Sequence, residues 1–108
     1  MKKRFESHKI NELSEIKVKH EEISKYLLNL ISGCKIKHKH GSDANTVVFI
    51  MDISGVTKEL IISDQYLQDC TIIEIFDFIN KKEVIRIIST HSTVKIIMRE
   101  GYPAISYR

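Results

Sequence analysis

The sequence predicts one α+β domain over residues 1–108, in the order α-βββ-α-βββ, with a mainly antiparallel sheet covered by two helices. The length of 108 residues is enough for one hydrophobic core and too short for two. Apolar residues make up 43% of the chain and charged residues 29%, the balance of a globular protein. Ile, Val and Thr together account for 30 residues, and their β-branched side chains favour strands. Four Gly and one Pro leave little room for linkers, so intrinsic disorder is excluded.

The first predicted element is a helix from about Lys9 to Ser32, preceded by a loose basic segment over residues 1–8. Its apolar residues are spaced alternately by three and four, which places them on one helical face. Gly33 then provides a residue suited to leaving a helix. The segment Glu15–Lys19 also fits a short strand, with the helix beginning near Glu21. The residues that form the apolar face are Leu13, Ile16, His20, Ile23, Leu27 and Leu30.

Three strands are predicted next. Cys34–His40 alternates between two kinds of side chain with a period of two, which is typical of a strand with two distinct faces. The segments Thr46–Ile53 and Thr57–Ser63 follow, separated by turns at residues 41–45 and 54–55. Because the connections are short, we expect these strands to form an antiparallel meander.

The second half begins with a short helical turn from Asp64 to Gln68, capped by Ser63 or Asp64. Thr71 and Glu74 have the spacing of a capping box, which predicts a helix that ends near Lys81. The remaining predicted elements are three strands: Val84–Ser89, Thr93–Arg99 and Ala104–Tyr107.

The predicted compartment is the cytoplasm. No apolar run approaches the length of about 18 residues that a membrane span needs, and no apolar segment of a signal peptide follows the basic start. The only cysteines, Cys34 and Cys70, are therefore expected to be reduced and unlinked.

Positive charge is concentrated in the first part of the chain. Residues 1–40 contain ten Lys or Arg against five Glu, whereas residues 41–108 contain seven basic against nine acidic residues. Lys35, Lys37 and Lys39 point to one side of the first strand, about 7 Å apart. These lysines are candidate nucleic-acid ligands, because their spacing is close to that of phosphates. The alternative is that they protect an exposed sheet edge from unwanted strand pairing.

The C-terminal segment is the candidate protein-binding site. Cys34–His40 and Ala104–Tyr107 are the two strands expected at the sheet edges. The second has few charged residues to protect it, and Tyr and Arg are frequent interface anchors. We therefore predict that four residues contact another protein, either a second copy of the chain or a different partner: Tyr102, Ile105, Tyr107 and Arg108. The alternative is that Ile105 and a tyrosine complete the domain's own core.

No catalytic residues, metal ligands or cofactor are predicted. His38 and His40 form a lone pair that shares a strand face with Cys34, but a zinc site needs three or four ligands. The sequence also lacks a phosphate-binding glycine loop and a nucleophile elbow. The leading prediction is a small non-enzymatic interaction protein, such as an inhibitor, an immunity or antitoxin-type factor, or a phage- or mobile-element-encoded regulator. The alternatives are a nucleic-acid-binding regulator that uses the basic N-terminal half, and a small ribonuclease-like enzyme.

Overall fold

A computed structural model describes the backbone of residues 4–41 and 45–108, and side chains within residues 17–41 and 45–108. The fold is α+β, as predicted, with a five-stranded sheet and four helices in the described part. The elements are α1 (Arg4–Leu30), β1 (Cys34–His40), β2 (Thr46–Ile53), β3 (Val56–Ser63), α2 (Asp64–Asp69), α3 (Ile72–Lys81), α4 (Val84–Thr90), β4 (Thr93–Arg99) and β5 (Tyr102–Tyr107).

The first helix, α1, is continuous through Glu15–Lys19, so the alternative of a short strand there is wrong. It begins five residues earlier than predicted. Ile23 and Leu27, four residues apart, are fully buried against the sheet. The ring of Tyr26 stacks on that of Phe76 with centroids 4.1 Å apart, which joins α1 to α3.

The sheet has the strand order β1-β2-β3-β4-β5, so the strands predicted to be the edges are the edges. All neighbouring pairs are antiparallel except β3 and β4, which are parallel. The predicted meander of the first three strands is confirmed. Ser54 and Gly55 both have positive φ, 53° and 84°, in the two-residue turn between β2 and β3, which matches the twist of a hairpin. Residues 42–44 of the predicted first turn lie outside the described residues.

The prediction of a strand at Val84–Ser89 is wrong, and with it the predicted order of elements and the number of covering helices. The segment forms α4, preceded by Glu83 in a left-handed conformation with φ of 52°. Val84 and Ile88 are buried one helical turn apart. A parallel connection must cross from one end of the sheet to the other, and α2, α3 and α4 together make that crossing from β3 to β4.

The caps predicted for the two preceding helices are present. Ser63 Oγ accepts a hydrogen bond of 3.2 Å from Gln65 N at the start of α2. At the start of α3, Thr71 N donates to Glu74 Oε1 at 2.8 Å, and Glu74 N donates to Thr71 Oγ1 at 3.2 Å. These contacts fix where each helix begins.

All four helices contribute to a single core on one face of the sheet. Alternate residues of β2, β3 and β4 enter this core, and β1 adds Ile36 and Cys34 at its margin. No described helix is both long enough and apolar enough to span a membrane. The fully buried core side chains are Ile23, Leu27, Val47, Phe49, Met51, Leu60, Ile62, Tyr66, Leu67, Ile75, Ile79, Val84, Ile88, Val94 and Ile96.

Candidate interaction surface

The second face of the sheet is not covered by any described helix. Its side chains alternate along each strand with those that enter the core, and none of them belongs to the core cluster. We call this side of the sheet the open face. The strand pairing places on it Lys35, Lys37, Lys39, Val48, Ile50, Asp52, Glu59, Ile61, Lys95, Ile97, Arg99, Tyr102 and Ala104.

Aliphatic side chains cross the open face in a diagonal line from β2 to β5. Val48 pairs with Ile61, and Ile97 pairs with Ala104. Ile50 extends the line along β2. Val48 is 7% exposed, and the other four are half-buried. We call these five residues the apolar diagonal. Lysine stems that lie along aliphatic side chains shield them partly from water.

Five cations surround the apolar diagonal. Lys35, Lys37 and Lys39 are exposed on β1, and Lys95 and Arg99 lie on β4. Within the described residues, none of them forms an ion pair. Cross-strand neighbours place Lys39 beside Val48 and Lys95 beside Ile61. These two cations therefore lie on one row across the sheet, about 14 Å apart, with aliphatic side chains between them.

Among the residues that the structure describes, two acidic residues lie on the open face, Asp52 and Glu59. Asp52 Oδ1 accepts a hydrogen bond of 3.0 Å from Gly55 N, so it stabilises the adjoining hairpin turn. Glu59 is cross-strand neighbour to Ile50. Counted over residues 17–41 and 45–108, the five cations outnumber these two acids, so this part of the open face carries a net positive charge.

The structure brings together two groups of predicted site residues. Tyr102, at the start of β5, pairs with Arg99 on the open face and is 75% exposed. It therefore shares a face with the three predicted lysines of β1. Ile105 and Tyr107 lie on the opposite, helix-covered face of β5. Ile105 packs against the core, and the ring centroid of Tyr107 is 4.3 Å from that of His91. The predicted C-terminal site is thus divided between the two faces.

The last predicted contact residue, Arg108, is tied to the domain through its backbone. Its N donates to Thr93 O at 3.0 Å, and its carbonyl accepts from Ser92 N at 3.2 Å. The end of the described chain therefore continues the pairing of β5 with β4. Arg99, Lys95 and the diagonal were not among the predicted site residues. Only the sheet pairing shows that they lie beside Tyr102.

A cluster of histidines lies on the covered side, between α1 and β1. His20 is 9% exposed, and its ring centroid is 5.3 Å from that of His38 and 6.3 Å from that of Phe49. Its Nε2 has no hydrogen-bond partner in the described part of the chain. Burial, followed by the nearby His38, lowers the pKa of His20; His40 acts in the same direction and Asp64 opposes them. No group of three His, Cys, Asp or Glu among the described residues is arranged to hold a metal ion.

A cleft of about 330 Å³ lies between α1 and the junction of α2 with α3. Lys19, 8% exposed, donates from Nζ to Leu67 O at 2.6 Å and to Cys70 O at 2.9 Å. Burial raises the pKa of Cys70, and Glu74 and Asp69 raise it further, although Lys19 opposes them. A raised pKa disfavours the thiolate needed for nucleophilic attack. The other residues that line the cleft are Val18, Glu22, Gln68, Asp69, Thr71 and Ile72.

Comparisons with protein-family models, with curated proteins and with solved structures find no significant match to this chain. Its function is therefore inferred from the chemistry of its own surfaces.

Proposed function

We propose that this chain is a small non-enzymatic interaction protein that binds an acidic surface of a partner protein through the open face. The observation that supports this most strongly is the set of five cations, without ion pairs among the described residues, around an apolar diagonal. Protein interfaces commonly combine an apolar centre with a polar rim. Free ammonium and guanidinium groups also steer an oppositely charged partner towards the surface.

The open face suits a protein better than a nucleic acid. Proteins that bind single strands stack bases on aromatic rings, and Tyr102 is the one aromatic side chain that the described sheet presents on this face. The apolar diagonal needs an apolar counterpart, which a phosphodiester backbone does not offer. The four half-buried aliphatic residues of the diagonal, Ile50, Ile61, Ile97 and Ala104, therefore favour a protein surface that has both apolar and acidic side chains.

The partner in this proposal is a different protein rather than a second copy. A two-fold interface through the open face would place the same positively charged surface on both sides. Like charges facing each other across an interface oppose association. A partner that is covered in this way has its own surface blocked, which is how a cytoplasmic inhibitor or immunity-type factor acts.

Site-specific photo-crosslinking tests this function in cells of the protein's native host. A p-benzoylphenylalanine replaces Tyr102 on the open face or, as a control, Ile73 on α3. The two positions are matched in exposure, at 75% and 71%. We expect a discrete protein adduct from position 102 and none from position 73. The adduct should resist nuclease, and its crosslinked peptide should be rich in Asp and Glu.

Charge variants complete this experiment. Lys37→Glu combined with Lys39→Glu should abolish the adduct, because it reverses two charges beside the apolar diagonal. Lys81→Glu combined with Lys82→Glu, at the exposed end of α3, should leave it intact. Equal adducts from positions 102 and 73 would contradict the proposal. Loss of the adduct on nuclease treatment would favour the nucleic-acid alternative instead.

A further inference from the structure

We infer that the partner docks a single amphipathic helix with acidic flanks onto the apolar diagonal, an inference that rests on the function proposed above. The face of a sheet offers side chains only, because its backbone N–H and C=O groups are already bonded to neighbouring strands. An extended segment would bind an edge strand, where such groups are free. A segment on the open face must therefore satisfy its own backbone groups, and a helix does so.

The dimensions of the apolar diagonal fit a short helix. From β2 to β5 the sheet is about 14 Å wide, since neighbouring strands are about 4.8 Å apart. The diagonal also runs along the strands. Ile50 at its β2 end is level with Thr93 of β4, through Glu59 of β3. Ile97 lies four residues after Thr93, so the diagonal advances about 13 Å in the strand direction. The diagonal is therefore about 20 Å long, the length of about 13 helical residues or between three and four turns.

The positions of the cations specify the flanks of that helix. Lys39 on β1 and Arg99 on β4 lie on one side of the diagonal, and Lys95 lies towards the other. The helix should consequently carry Asp or Glu on both borders of its apolar stripe. Glu59 lies on the same side as Lys95, where it disfavours acidic residues of the helix close to it.

Binding of synthetic peptides tests this inference. The first probe is a 15-residue helical peptide with one leucine stripe bordered by glutamates. The second has the same composition with the leucines distributed around the helix, and the third probe is a 15-nucleotide single-stranded RNA. Fluorescence anisotropy at two salt concentrations measures each affinity. We expect the first peptide to bind at least tenfold more tightly than the second and more tightly than the RNA.

Variants of the protein assign this binding to the diagonal. Ile61→Thr should weaken binding of the first peptide at least fivefold, and Ile73→Thr, on the exposed side of α3, should leave it unchanged. Melting temperatures of both variants exclude loss of folding. Lys39→Gln combined with Arg99→Gln should weaken binding and reduce its salt dependence, because two charged contacts are removed.

The outcomes separate the helix inference from the proposed function. Equal binding of the two peptides, with both weakened by Lys39→Gln and Arg99→Gln, would overturn the helix and leave an acidic partner in place. Failure of both peptides to bind, together with a protein adduct from position 102, would also overturn the helix alone. RNA bound more tightly than either peptide, with no protein adduct, would overturn both.

Discussion

Replacement of Lys19 by methionine should strongly destabilise the fold. Lys19 is buried on α1, and its ammonium group donates to Leu67 O and Cys70 O at the end of α2. Methionine keeps an unbranched apolar side chain but removes the donor. Two carbonyl groups at the carboxyl end of a helix, where cations are favoured, then lose their partner.

The size of the effect follows from these two contacts. A hydrogen bond to a charged group contributes about 1.5–3 kcal/mol, and a buried acceptor left unsatisfied costs about 1–3 kcal/mol. Methionine also removes the cost of burying an ammonium group, which offsets part of the loss. We therefore expect the free energy of unfolding to fall by about 2–4 kcal/mol. For a chain of 108 residues, that corresponds to a melting temperature lower by roughly 9–18 °C.

Urea denaturation and thermal melting of Lys19→Met measure this effect. The matched control is Lys17→Met, the same substitution on the same helix at an exposed position. It should change the free energy of unfolding by less than about 0.5 kcal/mol. If the two variants lie within about 0.5 kcal/mol of each other, the bond between α1 and α2 does not stabilise the fold as argued.

Three further predictions concern pH, capping and the thiols. The pKa of His20 is lowered from 6.5 by burial and by His38, so the folded state binds its proton less readily than the unfolded state. The free energy of unfolding should therefore fall as the pH drops below about 6.5, and this group contributes at most about 1.4 kcal/mol per pH unit to that fall. Urea titrations at several pH values should show a smaller fall for His20→Gln than for the unmodified protein. Thr71→Ala removes one half of a capping box and should cost about 1 kcal/mol in thermal melts, whereas Thr71→Ser should cost little. Thiol titration under denaturing, non-reducing conditions should find Cys34 and Cys70 both free, and a count of zero would contradict their unlinked state.

Local sequence signals were sufficient for most of the elements. The capping box at Thr71 and the alternation of Cys34–His40 determine structure through contacts close in the chain, so they could be predicted. The segment Val84–Ser89 could not. A short run rich in Ile and Val fits a buried strand or a buried helix equally well. The choice is made by tertiary structure, because the chain must return across the sheet before β4 can pair in parallel with β3.

The candidate site was predictable only in fragments. Alternation along β1 placed its three lysines on one side, but nothing in the sequence shows that this side is uncovered. Ile97 and Arg99 lie about 60 residues from those lysines along the chain and join them through strand order alone. The burial of Lys19 could not be predicted from the sequence either, because the two carbonyl groups that it contacts lie 48 and 51 residues further along the chain, at the end of α2.

Edge protection does not account for all the cations of the open face. Lysines on β1 protect an edge strand against unwanted pairing. They lie together on the open face because the other face of β1 packs Ile36 against the core. Their position therefore has a structural explanation. β4 is different, since it is paired with β3 on one side and β5 on the other and has no edge to protect. Lys95 and Arg99 nevertheless lie on the same face as the β1 lysines, beside aliphatic neighbours and without an ion pair among the described residues. Such an arrangement places like charges on one face about 13–14 Å apart, and their repulsion opposes folding slightly. An acidic partner would neutralise them, and this is why β4, more than β1, supports a binding role for the open face.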